Sequence, residues 1–127
     1  MGYRSMFSLE IANGSYEMID EIWSVMRDIC DGQIAEVFER DYTDFDDVRN
    51  VIYTVSTGEH KWYDEFTDMG ELSEIFPSLI FKVHRIGEDA NDITDDYFVN
   101  GKGEICRWFP TVPKNPGWMA PFRFLDE

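Results

Sequence analysis

The chain has 127 residues, the size of a single domain that can bury its own hydrophobic core. Hydrophobic residues make up 43% of the sequence and aromatic residues 16%, which excludes an intrinsically disordered chain. The 26 acidic residues outnumber the 11 basic ones, and the net charge of −15 disfavours direct binding to nucleic acids or to anionic membrane surfaces.

Neither a targeting signal nor a disulfide framework is apparent in the sequence. The first residues, Met1 to Ser5, alternate polar and apolar types and do not form the apolar run of a signal peptide. No apolar stretch approaches the roughly 18 residues that a membrane span needs. The two cysteines are Cys30 and Cys106, and we expect both to be buried free thiols in a reducing cytoplasm.

The first part of the chain changes from a strand pattern to a helix pattern. Apolar and polar residues alternate over 3–11, which predicts a β-strand. Apolar residues then recur at steps of three and four, which predicts a helix over 15–30 with Ser15 as its N-cap. A shorter helical segment follows at 34–40, and we expect residues 41–47 to form an acidic loop.

The middle of the chain contains two strand patterns with a short helix between them. Alternating β-branched and aromatic residues predict a strand over 48–57. Asp68 begins a capping-box pattern, which predicts a helix over 68–76. The clearest alternation in the chain predicts a strand over 78–86. Residues 60–63 fit either a turn or an extension of the preceding strand.

The last part of the chain predicts a hairpin followed by a tail. A polar, acidic loop over 87–96 precedes two strand patterns, 96–100 and 104–109. The Asn100-Gly101 pair between them is a strong signal for a tight hairpin turn. Residues 113–127 are rich in proline and aromatic residues, and we expect them to form a C-terminal tail.

These elements predict one α+β domain over residues 1–127. Their order is strand, helix, strand, helix, strand and hairpin, which favours a ferredoxin-like βαβαββ sandwich with helices on one face of the sheet. A different α+β meander is the alternative topology. Trp23, on the first helical stripe, and Phe81, on the third strand, are expected in the core.

The acidic residues concentrate in the predicted helices and loops. Residues 17–47 contain 11 acidic and two basic residues, 59–74 contain six and one, and 88–96 contain five and none. This excess can serve solubility alone, or it can form a surface that binds a protein with a basic surface. The candidate partner-binding residues are Asp41, Asp44, Asp46, Asp47, Asp64, Glu65, Glu88, Asp89 and Asp92.

The sequence indicates no cofactor, no metal site and no catalytic residues. The loop 87–96 is rich in oxygen ligands, but its spacing does not fit the EF-hand pattern. His60 and His84 lack further ligands at zinc-site spacing. Aromatic residues on the sheet could stack nucleic-acid bases, but the net charge makes this the weaker interpretation. The aromatic candidates are Tyr53, Phe81, Tyr97 and Trp108.

Four short motifs resemble a known group of proteins. They are Gly2-Tyr3-Arg4-Ser5, Lys61-Trp62-Tyr63, Phe76-Pro77 and Arg85-Ile86-Gly87-Glu88-Asp89. Together, over about residues 2–109, they resemble small phage and prophage proteins of a YubB-type ferredoxin-like group. This resemblance implies a phage or mobile-element origin, a location in the host cytoplasm and no known enzyme activity. Neither the acidic segment 31–47 nor the tail matches the group.

Three hypotheses about function follow. The first is an inhibitor of a host nucleic-acid-binding or defence protein, of nuclease, CRISPR or restriction type, that acts through an anionic surface, with DNA mimicry as one form of this action. The second is a phage accessory or structural interaction module whose charge serves only solubility. The third, which we favour least, is a small metal-binding enzyme built on the loop 88–96. Steep salt dependence of partner binding would separate the first from the second.

Overall fold

A computed structural model of the protein describes residues 5–30, 32–40, 42–46, 51–55, 60–88 and 92–108. Within these residues the chain forms six β-strands, three α-helices and one 3₁₀ turn. Their order is β1 Met6–Ala12, the 3₁₀ turn Tyr16–Met18, α1 Ile19–Ile29, α2 Gly32–Arg40, β2 Tyr42–Asp46, β3 Val51–Val55, α3 Glu65–Ile75, β4 Ile80–Ile86, β5 Ile93–Val99 and β6 Lys102–Arg107.

The strands form one sheet in the spatial order β2-β3-β1-β4-β5-β6, and every neighbouring pair is antiparallel. The α+β class predicted from the sequence is therefore confirmed. From β1 to β4 the chain runs through a strand, helices, two strands, a helix and a strand, which is consistent with the ferredoxin-like class. The hairpin β5-β6 extends the sheet beyond β4. The predicted order βαβαββ needs correction because it omits one strand.

The omitted strand is β2, which lies in the segment 41–47 that was predicted to be an acidic loop. It pairs with β3 at the edge of the sheet, with a bulge between Tyr42 and Asp44. Aspartate disfavours strands, which argued for a loop, but an edge strand tolerates charged residues and Tyr, Thr and Phe favour pairing. Pairing with the edge of β3 therefore outweighs the low strand propensity of the aspartates.

The main core lies between the helices and one face of the sheet. Helix α1 turns Ile22, Trp23 and Met26 toward the sheet, as its spacing of apolar residues predicted. Trp23 is 2% exposed and Phe81 is 0% exposed, which confirms that both belong to the core. The sheet contributes Phe7, Leu9, Ile11, Ile52, Phe81, Val83 and Phe98 to this core.

Helix α3 begins at Glu65, one turn before the predicted start at Asp68. The Asp68 side chain does not cap the helix, because its carboxylate accepts a hydrogen bond of 2.9 Å from the Trp62 indole N–H. Trp62 is buried and packs edge-on against Phe7 and Phe38, with ring centroids 5.2 Å and 5.9 Å away. Trp62 therefore joins the segment before α3 to the core.

The hairpin β5-β6 turns at Asn100 and Gly101, as the sequence predicted. Their φ angles are 46° and 80°, the left-handed region that a two-residue type I′ turn requires at both positions. The Gly101 N–H donates a hydrogen bond of 2.9 Å to the buried Ser73 hydroxyl on α3. The hairpin is thus fixed to the helix layer at its turn.

The opposite face of the sheet carries a second, smaller core cluster. It consists of Ala12, Val51, Ile80 and Tyr97, and the partly buried Cys106 packs against it. Both cysteines are free thiols, but only Cys30 is buried, so the expectation that both are buried is half right. No helix in the described part of the chain is long and apolar enough to cross a membrane. The predicted tail 113–127 lies outside the described residues.

Candidate functional site

The nine acidic residues predicted to bind a partner do not form one surface. Asp64 and Glu88 are exposed, whereas Glu65 is buried and Asp92 is partly buried. The backbones of Asp44 and Asp46 lie in the edge strand β2 rather than in a loop. The remaining candidates, Asp41, Asp47 and Asp89, lie outside the described residues.

Most of the exposed acidic side chains that the structure describes lie on the helix layer. The helices bury their apolar stripes against the sheet, so their charged residues face outward. Arg27 is the one basic residue among the described side chains of the helices, and it forms an ion pair with Glu39. We define the acidic helix surface as Glu17, Asp20, Glu21, Asp28, Glu36, Glu39, Asp64, Glu71 and Glu74, all of them exposed.

Two acidic residues are instead buried together between α3 and β5. Glu65 is the first residue of α3 and is 6% exposed, and Asp96 on β5 is 2% exposed. Asp96 stands opposite Val83 in the sheet register, which places it on the face that the helices cover. The two carboxyl groups form a hydrogen bond, so one of them must hold a proton. This correction removes Glu65 from the exposed surface predicted for it.

Burial determines which form of this carboxyl pair exists at neutral pH. Burial, the hydrogen bond to Asp96 and its negative charge together raise the pKa of Glu65 from 4.5 to about 10. Burial also raises the pKa of Asp96, which the hydrogen bond from Glu65 and the charge of Arg85 partly offset. Two interacting carboxyls this close bind one proton as a unit. Near pH 7 Glu65 therefore holds a proton, and Asp96 accepts its hydrogen bond.

Arg85 and Asp92 balance the charge beside the pair. Arg85 on β4 lies in the same register row as Phe7, on the helix-covered face. Its guanidinium donates two hydrogen bonds to the Asp92 carboxylate, at 3.1 Å and 2.9 Å, and these bonds raise the pKa of Arg85. Arg107 approaches the same carboxylate at 3.7 Å. Asp92 is thus an ion-paired residue, and its role in partner binding stays a prediction.

A cleft of about 190 Å³ opens beside the carboxyl pair. Its rim is aromatic: Tyr63 is 67% exposed and Phe66 is 41% exposed. Ser5, Trp62, Tyr63, Glu65, Phe66 and Arg85 are among the residues that line this cleft. The cleft therefore combines one buried acidic group, aromatic surface and an arginine that is already paired.

The positions of Glu65 and Asp96 in the sequence patterns indicated burial, although both residues are acidic. Glu65, Met69 and Leu72 follow the spacing of one helical stripe, and all three are buried. Asp96 alternates with the buried Phe98 on β5, which places both on the helix-covered face. Because acidic residues are rarely buried, the prediction placed Glu65 on the surface by its charge and did not use its position in the pattern.

The other face of the sheet carries a second polar cluster. His84 Nδ1 lies 2.6 Å from Asp95 Oδ1, and Lys82 Nζ lies 4.0 Å from Asp95 Oδ2 and 5.2 Å from the centre of the Tyr97 ring. The Trp108 ring packs edge-on against His84 at 5.4 Å. Among the described residues, no group of three histidines, cysteines or carboxylates could hold a metal ion. We interpret this cluster as a structural network that fixes the register of β4 and β5.

The aromatic residues considered for base stacking do not form an open platform. Phe81 and Tyr97 are both fully buried, on opposite faces of the sheet. Trp108 is partly buried, and its ring packs against His84. The side chain of Tyr53 lies outside what the structure describes. The described aromatic residues therefore serve packing, which is the interpretation favoured from the sequence.

Compared with known proteins, the chain matches no family model, no curated protein and no solved structure. The resemblance to YubB-type phage proteins therefore stays a prediction.

Proposed function

We propose that this protein binds a protein partner with a basic surface through its acidic helix surface. The observation that supports this proposal is the charge of the helix layer, where nine acidic side chains are exposed and the one described basic side chain is already paired with Glu39. Mutual repulsion of so many like charges lowers the free energy of unfolding. A function in binding would explain why the protein keeps these charges despite that cost. Solubility alone requires far less net charge than −15 for a domain of this size.

The chemistry of the proposed partner follows from the charge. Proteins that bind nucleic acids present lysine and arginine side chains to phosphate groups, and an array of exposed carboxylates can occupy such a surface in their place. We therefore propose that the partner is a host nucleic-acid-binding or defence protein of nuclease, CRISPR or restriction type, which this protein inhibits in the host cytoplasm. The predicted resemblance to phage proteins supports the same proposal.

Salt dependence and matched variants test the proposal. The partner is first captured from host lysate and purified, and its affinity is then measured over a range of salt concentrations. Asp20→Asn/Glu21→Gln removes two charges from the acidic helix surface, and Glu104→Lys changes the net charge equally on the exposed part of β6. We expect the first variant to weaken binding and flatten its salt dependence, while the second behaves like the wild type. Equal effects of both variants would reduce the proposal to net charge alone.

The acidic residues around β2 provide a second arm of this test. Changing Asp41, Asp44, Asp46 and Asp47 to asparagine should weaken partner binding and flatten its salt dependence, with the melting temperature almost unchanged. Unchanged affinity and salt slope would exclude this segment and leave the acidic helix surface, including its residues within 64–74, and residues 88–96 as the candidates. If no variant changed the salt slope, the protein would instead be an accessory interaction module whose charge serves solubility.

A further inference from the structure

We propose that the cleft lined by Glu65 binds a guanidinium or ammonium group of the basic partner. This inference rests on the proposed function, because it assigns one lysine or arginine side chain of the partner to a specific place. The cleft adjoins the exposed Asp64 at the start of α3, which belongs to the acidic helix surface.

The Glu65 side chain lies in the wall of the cleft with one carboxyl oxygen unpaired. Glu65 Oε2 is buried, and no N–H or O–H group in the described part of the protein reaches it. Buried carboxyl oxygens almost always have a hydrogen-bond partner. If the shared proton leaves, an incoming cation has to supply the donors, and a guanidinium carries five while an ammonium carries three.

The walls of the cleft suit a cation on a flexible stem. Tyr63 and Phe66 expose aromatic surface at the rim, and aromatic rings attract ammonium and guanidinium groups. The volume of about 190 Å³ is below that of pockets that enclose drug-sized ligands, so the cleft admits one side chain rather than a folded segment. Arg85 does not repel the cation strongly, because Asp92 binds its guanidinium at two atoms.

The exchange of a proton for a cation follows from the groups around Glu65. Asp96 faces it from β5, Arg85 lies near it on β4, and Asp68 lies near it on α3. Of these, the two aspartates favour the protonated form of Glu65 and Arg85 favours its carboxylate. A second cation beside Glu65 also favours the carboxylate, so binding releases one proton to solvent. Affinity should then rise with pH by up to about tenfold per pH unit.

The test uses N-acetyl-arginine amide as the ligand and N-acetyl-citrulline amide as its neutral control. Titrations followed by NMR, and by calorimetry in buffers of different ionisation enthalpy, measure affinity and proton release. We expect saturable binding of the arginine compound, release of about one proton and weaker binding at lower pH. Equal binding of the citrulline compound, no saturable binding, or binding without proton release would overturn the inference.

Two variants and one control connect the binding to the cleft. Glu65→Gln should weaken binding of the arginine compound at least about fivefold and abolish proton release. Tyr63→Ala changes an exposed rim residue, so the fold should persist, and binding should weaken about two- to fivefold. Glu104→Gln, an exposed acid on β6, should leave binding unchanged. Wild-type affinity in Tyr63→Ala would contradict the cleft as the site, even if Glu65→Gln failed to fold.

The failure of this inference can be distinguished from the failure of the proposed function. If the arginine compound does not bind, but Asp20→Asn/Glu21→Gln still weakens partner binding, the cleft inference is wrong and the docking surface stands. If the arginine compound binds with proton release, but the acidic helix surface has no effect on any partner, the proposed function is wrong and the cleft is a cation site of its own.

Discussion

Replacing Glu65 by glutamine should remove part of the pH dependence of folding stability. Glutamine has nearly the shape of the protonated glutamic acid, and its amide can donate the hydrogen bond to Asp96. It cannot titrate, however. The pKa of Glu65 rises from 4.5 to about 10 on folding, so between these values the folded protein holds a proton that the unfolded chain releases. The wild type should therefore lose stability as pH rises through this window, relative to the variant.

The size of the effect follows from proton linkage. One proton taken up on folding changes the free energy of unfolding by about 1.4 kcal/mol per pH unit at most. Between about pH 5 and about pH 8 the ceiling is roughly 4 kcal/mol for one such proton. Asp96 shares the proton and its own raised pKa persists in the variant, which reduces the difference. We expect the wild type to lose about 1–3 kcal/mol relative to Glu65→Gln over this range.

Urea denaturation at a series of pH values, followed by tryptophan fluorescence and circular dichroism, measures this difference. Glu104→Gln is the control, because it removes a carboxylate that is exposed on β6 and should leave the pH profile as in the wild type. Profiles of wild type and Glu65→Gln that stay parallel within about 0.5 kcal/mol would refute a buried, protonated Glu65. A variant that is less stable than the wild type at every pH, with parallel profiles, would mark Glu65 as a purely structural residue.

Three further predictions concern packing and backbone geometry, and urea denaturation checks each. Trp23→Ala and Phe81→Ala should each cost about 3–5 kcal/mol, because both remove a buried aromatic side chain, and a cost below about 1 kcal/mol would contradict their place in the core. Trp62→Phe should cost about 1–2 kcal/mol, because the indole hydrogen bond to Asp68 is lost, and no change would show that this bond contributes nothing. Gly101→Ala should cost about 1–2 kcal/mol because of its positive φ, and a neutral result would contradict the type I′ turn.

The sequence predicted best the elements in which residue type and position agreed. The alternation in β1 and β4, the apolar stripe of α1 and the Asn100-Gly101 turn all combine a regular period with residues that suit the element. The strand β2 was missed because two of the five residues in 42–46 are Asp, which disfavours strands, and only pairing with β3 makes the segment a strand. Tertiary contacts decided that element, and no local pattern contained them.

The candidate site was harder to predict than the fold. Glu65 and Asp96 are far apart in the sequence, and only the packing of α3 against β5 brings them together. The prediction assigned Glu65 to the surface by its charge, although its position on the buried stripe with Met69 indicated the core. Position within a periodic pattern was the better guide here, and burial of an acid is a reason to suspect a function.

The chain contains two groups of acidic residues: buried ones on β5, which lie next to basic residues of β4, and exposed ones on the helices. Adjacent residues of a strand face opposite sides of the sheet, so Asp95 and Asp96 on β5 are buried on different faces. On one face His84 and Lys82 lie near Asp95, and on the other Arg85 lies near Asp96. Three bases of β4, namely Lys82, His84 and Arg85, therefore lie beside these buried acids. Apart from Glu39, which forms an ion pair with Arg27, the exposed acids of the helices are the charges that a basic partner, or added salt, would neutralise.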